Sequence, residues 1–172
     1  YAGNLENLRA VENHKNYKFV KGDIADKKFV ETLFETEKFD GVINFAAETH
    51  VDRSIENSDP FVQTNIIGTH VLLEASRKFG IKKYHQVSTD EVYGDLGDPT
   101  PNTSKTYFSE TTPLSPNCPY AAAKTSADLL VASWGHTYGM HTIITRCSNN
   151  YGPYQFPEKL IPFFLFKSMK NE

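Results

Sequence analysis

Short apolar runs alternate with amphipathic stretches along the chain, which is the pattern of strands and helices taken in turn. Residues 17–20 (Tyr-Lys-Phe-Val) predict a short strand ending at Gly22-Asp23. Residues 27–36 predict a helix with Phe29, Val30, Leu33 and Phe34 on one face. Residues 41–47 (Gly-Val-Ile-Asn-Phe-Ala-Ala) are almost all apolar, as in a parallel strand buried on both faces. Asp59-Pro60 is a helix start, an acid followed by proline at the first position, and Gly80 is its stop. A strand follows at residues 84–89. Residues 94–117 are rich in Gly, Pro, Asn, Ser and Thr and predict a long loop, of the kind that serves as a lid. Residues 120–138 predict a helix closed by Gly139, residues 141–147 a further strand, and the chain turns helical again after Pro157. Strands separated by helices imply a parallel sheet with crossover connections. Ligands bind such sheets beyond the carboxyl ends of the strands. The informative residues are therefore those after Val20, Ala47, Thr89 and Cys147.

Composition narrows the class. At 172 residues, one domain of ordinary size is expected, since domains run to about 150 residues. Apolar residues make up 39% and aromatics 13%, which excludes a disordered chain. The net charge of −3 lacks the excess of basic residues that a nucleic-acid binder displays. The two cysteines, Cys118 and Cys147, are far apart and form no disulfide framework, so a reducing compartment, the cytoplasm, is expected. No apolar run approaches the roughly 18 residues of a membrane span, and the first residues do not read as a basic-then-apolar signal. The chain opens on Tyr1 without an initiator Met, so a partial chain is expected.

Several strand ends carry polar groups. Gly22-Asp23-Ile24 offers an acid that could accept from a ligand amino or hydroxyl group, and that serves a turn or helix cap equally well. Ala46-Ala47-Glu48-Thr49-His50 offers two small side chains against which a flat ligand could lie, or ordinary close packing of helix on strand. His50 stands in no zinc-like spacing, and no metal site is expected. Ser88-Thr89-Asp90-Glu91 places two adjacent carboxylates behind a hydroxyl. Like charges that close push one pKa upward and separate an acid from a base. On a continuing strand Asp90 would face away from Thr89 and Glu91, so all three meet one ligand only if the backbone turns here. Tyr120-Ala121-Ala122-Ala123-Lys124 sets a phenol and an ammonium one helical turn apart. The ammonium is expected to lower the phenol pKa and make a proton-transfer pair. Arg146-Cys147-Ser148-Asn149-Asn150-Tyr151-Gly152-Pro153 runs from a strand into amides and a turn, which reads as a ligand edge or a plain loop.

A strand ending in Ser-Thr, followed by a helix headed by Tyr-x-x-x-Lys, resembles the extended short-chain dehydrogenase/reductase family. Five stretches bring the resemblance to its nucleotide-sugar dehydratases, over essentially the whole chain. They are residues 1–5, 46–54 (Ala-Ala-Glu-Thr-His-Val-Asp-Arg-Ser), 88–94 (Ser-Thr-Asp-Glu-Val-Tyr-Gly), 148–153 (Ser-Asn-Asn-Tyr-Gly-Pro) and 157–162 (Pro-Glu-Lys-Leu-Ile-Pro). The Thr-Asp-Glu triplet discriminates, because the family's epimerases typically lack that acid–base pair.

The resemblance implies a Rossmann-like, doubly wound parallel sheet and NAD-dependent dehydration of dTDP-glucose. Hydride leaves C4, water is lost across C5 and C6, and hydride returns to C6. It implies catalytic roles for Thr89, Asp90, Glu91, Tyr120 and Lys124. It implies NAD contacts from Asp23, Ile24, Phe45, Ala46, Ala47, Glu48, Thr49, Thr64, Tyr120, Lys124 and Asn150. Substrate contacts would come from Thr49, Thr89, Asn149, Lys159 and Leu160.

Residues 1–150 are then a partial NAD-binding domain with the catalytic centre, and residues 151–172 begin the substrate-binding region. The family's Gly-rich phosphate turn is missing: none of the ten glycines forms G-x-G-x-x-G. The expectation is half a family member, lacking the first strand–helix–strand unit and most of the substrate domain, and poorly active alone. The parent is expected to dimerise through helices 59–79 and 120–138. The alternatives are a dehydratase or epimerase of another nucleotide sugar, and a non-catalytic NAD-binding scaffold.

Overall fold

The computed structural model describes residues 1–97 and 107–172. The middle of the loop expected over 94–117 lies outside the described residues. The chain forms two compact units, one from residues 22–148 and one from residues 1–21 together with 149–172.

The larger unit runs α1 (Lys27–Thr36), β1 (Val42–Asn44), α2 (Val51–Glu56), α3 (Asp59–Phe61), a π-helical stretch (Val62–Gly68), α4 (Thr69–Lys78), β2 (Lys83–Thr89), a 3₁₀ turn (Asp90–Tyr93), α5 (Pro119–Tyr138) and β3 (His141–Cys147). The strands are all parallel in the order β1-β2-β3, with Val42 beside Tyr84 and Tyr84 beside Thr142. Local chemistry sets the ends. Asp26 accepts from the Phe29 amide at 3.0 Å and starts α1. Cys118 Sγ accepts from Ala121 and Pro119 opens α5. Gly139, at φ +65°, closes α5 in the left-handed conformation that an alanine resists.

Helices α1, α4 and α5 pack on the sheet face that presents Val42, Tyr84 and Ile144. The core there joins Val30, Phe34, Leu73 and Val131. Burying each such side chain is worth about 1.5–3 kcal/mol. The opposite face, with Ile43 and Ile143, is exposed. The strand expected over 41–47 as buried on both faces is thus three residues long and covered on one side only. Residues 17–20 form no strand, because no ladder partner adjoins them among the described residues, and Phe19 and Val20 are exposed. Helix 59–79 is present but not uniform. Its middle widens to a π-helix, where Gly68 leaves room for Ile24: a Cβ on Gly68 would lie 2.6 Å from the Ile24 side chain.

In the smaller unit, Leu5–Leu8 is a 3₁₀ turn capped by Asn4, and Leu160–Met169 forms α6. Tyr1 donates to Glu158 at 2.9 Å, and its ring meets Phe156 edge-on. No helix of the described residues is long and apolar enough to cross a membrane.

Candidate active site

β2 ends on Thr89 in extended backbone (φ −139°, ψ 153°), and the chain turns at the next residue. Thr89 Oγ1 accepts from the Glu91 amide at 3.2 Å and donates to Asp90 Oδ1 at 3.4 Å. One side chain thus caps the 3₁₀ turn that breaks the strand's alternation. Thr89, Asp90 and Glu91 therefore gather at one strand end, which is the condition the sequence left open. Gly94 closes the turn at φ +82°, and a Cβ there would lie 2.3 Å from the Ser115 carbonyl. The Ser115 amide in turn donates to Val92 at 2.9 Å.

Tyr120 sits in the first turn of α5, 6% exposed. Its amide donates to Ser54 Oγ at 3.2 Å, and its ring meets Phe61 edge-on at 6.2 Å. Burial, and after it the Glu91 carboxylate, push the Tyr120 phenol up to about 12, with the Thr89 hydroxyl pulling the other way. The phenol therefore faces the Thr-Asp-Glu turn.

Lys124, one helical turn on, is buried, and its Nζ donates to the Val87 carbonyl at 2.7 Å. Burial lowers its pKa, and the Asp128 carboxylate opposes that shift. The expected lowering of the Tyr120 pKa by Lys124 is not met. The phenol is desolvated against a carboxylate, while the ammonium is held by a main-chain carbonyl.

The segment after β1 is held by two buried asparagines that the sequence pattern did not single out. Asn44 Oδ1 accepts from Ala46 at 3.1 Å, and its Nδ2 donates to Gln86 at 3.0 Å. Asn65 brackets Glu48, accepting from its amide and donating to its carbonyl, both at 2.9 Å. An amide inside a helix, where such residues are disfavoured, was the available signal. Phe45 is 74% exposed, while Ala47, Glu48 and Thr49 are half-buried along this segment. Thr64 is half-buried on the π-helical turn beside Asn65. Asp23 is exposed, and its carboxylate accepts from Ala25 at 2.8 Å. That is the turn role, one of the two readings left open. Ile24 packs into the core.

Asn149, Asn150, Lys159 and Leu160 belong to the smaller unit. The Asn150 carbonyl accepts from Gln155 Nε2 at 3.3 Å. Lys159 is the N-cap residue of α6, and Leu160 begins the helix, exposed. Both cysteines are free thiols.

A parallel sheet crossed by helices, with a buried Tyr-x-x-x-Lys helix facing a hydroxyl at the central strand's carboxyl end, defines a Rossmann-type protein of the extended short-chain dehydrogenase/reductase class. Within that class the chain belongs to the GDP-mannose 4,6 dehydratase family, whose sequence profile matches residues 1–172. It is 48% identical over 184 residues to a dTDP-glucose 4,6-dehydratase of Escherichia coli, covering all of this chain and 51% of that one. It is 49% identical to the enzyme of that name from Xanthomonas campestris, covering 50% of its length. The chain thus spans about half the length of the curated relatives it matches.

Among solved structures, it resembles DesIV, a dTDP-glucose 4,6-dehydratase from Streptomyces venezuelae crystallised with NAD. That similarity has a TM-score of 0.89 at 43% identity, covering 98% of this chain and 50% of that one. The UDP-glucose 4-epimerase of Thermotoga maritima is similar at 30% identity and a TM-score of 0.85, covering 99% of this chain and 53% of that one.

Proposed function

We propose that the protein carrying this chain is an NAD-dependent dTDP-glucose 4,6-dehydratase. The turn at Thr89 carries the reading. It gathers an acid, a base and a hydroxyl beside the Tyr120 phenol, and an epimerase needs no acid at C6. The relatives that are 45–49% identical bear this activity in their names, whereas the epimerase neighbour is 30% identical.

The residues present fit the nicotinamide end of NAD. Tyr120 and Lys124 are a buried phenol and ammonium on α5, and the small side chains of Ala46 and Ala47 follow the carboxyl end of β1. Phe45, Glu48, Thr49, Thr64, Asp23, Ile24 and Asn150 complete the proposed cofactor contacts. When bound, NAD accepts the hydride from sugar C4 and returns it to C6.

Tyr120 takes the proton of the C4 hydroxyl, and Thr89 hydrogen-bonds the same oxygen. Loss of that proton is opposed by burial and by Glu91. Tyr120 therefore acts once a neighbouring positive charge offsets both. Lys124 holds its own charge below Tyr120 against the Val87 carbonyl. Glu91 removes the C5 proton, which the C4 ketone has acidified, and Asp90 protonates the departing C6 hydroxyl. Each proton transfer contributes about 10²–10⁴-fold.

Asn149, Lys159, Leu160 and Thr49 are proposed to contact the nucleotide sugar. In this reading residues 1–150 are the cofactor half and residues 151–172 open the substrate region. Exposed Val62, Ile67 and Leu129 on the two helical stretches support a homodimer, and a cytoplasmic location suits the free thiols. The test is turnover of dTDP-glucose by the complete polypeptide, followed by absorbance of the 4-keto product in alkali. Turnover in wild type that is lost in Glu91→Gln supports the reading. No turnover in wild type overturns it.

A further inference from the structure

Arg146, in the Arg-Cys-Ser-Asn-Asn run, has no part in the chemistry above, yet it touches both elements that carry it. It stands on β3 in register with Ser88, so its neighbour Cys147 pairs with Thr89. Its Nε donates to Asp128 Oδ2 at 2.9 Å, and an Nη donates to the Tyr93 hydroxyl at 2.9 Å. The guanidinium centre also lies 5.2 Å from the Tyr93 ring centroid. The Tyr93 ring is held a second time, since it stacks on Phe108 at 5.0 Å, 25° from parallel.

The two partners are informative by position. Asp128 is buried on α5, one turn after Lys124 and two after Tyr120, in the same stripe. Tyr93 is the last residue of the turn that begins at Asp90, two residues after Glu91. A planar fork with several fixed donors can hold a carboxylate and a hydroxyl at once, which a lysine cannot do with the same geometry.

We propose that Arg146 is a positioning residue that locks the Asp90–Glu91 turn to the helix bearing Tyr120 and Lys124. It acts through Asp128 on one side and the Tyr93 hydroxyl on the other. The inference rests on the dehydratase reading. Oxidation at C4 uses the helix, elimination across C5 and C6 uses the turn, and both must address one sugar. A shift of about 1 Å between reacting groups costs up to ~10²-fold in rate.

The test uses Tyr93→Phe and Arg146→Lys in the complete polypeptide. Wild-type turnover of dTDP-glucose is measured first, so that failure of the dehydratase reading shows there. Tyr93→Phe removes one hydroxyl and keeps the stacked ring. It is expected to lower kcat about tenfold, well within what such a displacement costs, with KM unchanged. The slowing should fall on elimination: the isotope effect from deuterium at C4 shrinks, and exchange of the C5 hydrogen with solvent becomes limiting. Amide exchange should quicken over residues 90–94 and stay unchanged over 119–138. Arg146→Lys should reproduce the pattern. Wild-type kcat in both variants, equal slowing of oxidation and elimination, or unchanged exchange over residues 90–94 overturns the proposal.

Discussion

Asn65 and Glu48 are joined by two hydrogen bonds of 2.9 Å: the Asn65 carboxamide accepts from the Glu48 amide and donates to its carbonyl. A side chain in the π-helical stretch thus stands in for a neighbouring strand, satisfying main-chain groups just where β1 has ended. Such π-helical insertions recur at functional sites. Asn65→Ala leaves both Glu48 groups without that partner. It is expected to cost about 1–3 kcal/mol, the loss of two hydrogen bonds from a partly buried segment. Urea unfolding would measure it, with an unchanged m-value if the loss is purely one of stability.

The Tyr120 phenol should be among the last groups to titrate. Its folded pKa of about 12 exceeds the ordinary value of 10.0. Its contribution to stability is then complete below pH 10 and lost as pH rises through about 12. Tyr120→Phe should remove that part of the alkaline destabilisation. Glu91→Gln deletes the largest raising influence after burial, so the phenolate absorbance of Tyr120 should appear at lower pH than in wild type, while still lagging exposed tyrosines. An unmoved titration in Glu91→Gln would show that the two side chains do not face each other.

Lys124 is charged at a cost. Burial lowers its pKa, so between that value and the ordinary 10.5 the unfolded chain binds more protons and stability rises with pH. Lys124→Met removes the buried charge while keeping much of the volume. Its thermal midpoint is expected to be no lower than wild type, and turnover to fall by at least ~10²-fold. That is the trade between stability and activity common at catalytic sites. A clearly lower midpoint would mean that the bond to Val87 outweighs the desolvation.

Gly94 and Gly80 both have positive φ, +82° and +73°, but only Gly94 faces an obstacle. At Gly80 a Cβ would meet nothing within 4 Å. Gly80→Ala should cost about 1–2 kcal/mol, the conformational penalty alone. Gly94→Ala must also displace the Ser115 carbonyl, and should cost more and impair turnover by moving Glu91. Equal destabilisation of the two variants would contradict the close approach at Ser115.

β1 is three residues long, lies at the edge of the described sheet, and Ile43 and Phe45 are exposed there. Unpaired edges of this kind template association. The 172-residue polypeptide made alone is expected to self-associate, bind NAD weakly and turn over little. Sedimentation and NAD titration would check this, and a monomer with tight NAD binding would refute it.

Much of this protein was legible along the chain. Helix α1 spans residues 27–36 and β3 spans residues 141–147, as their patterns predict. α5 ends at Gly139, because periodicity and capping are local properties. The Thr-Asp-Glu triplet and the Tyr-x-x-x-Lys pair were legible for the same reason: each is a short run of residue types. The failures share a cause as well. Residues 17–20 have strand-like residues, but a strand exists only with a partner. The run at 41–47 looks buried on both faces, yet burial depends on what covers the second face. Helix α2 and the π-helical stretch follow from tertiary demands, Ser54 reaching Tyr120 and Asn65 reaching Glu48.

Above all, spacing alone placed an ammonium beside the Tyr120 phenol and expected its pKa to fall. Sequence determined which groups share the helix face. The tertiary structure decided their protonation, because a pKa follows the desolvation and charges a side chain meets in space. Those come first from burial, and then from charges that the fold brings near, such as Glu91 at Tyr120.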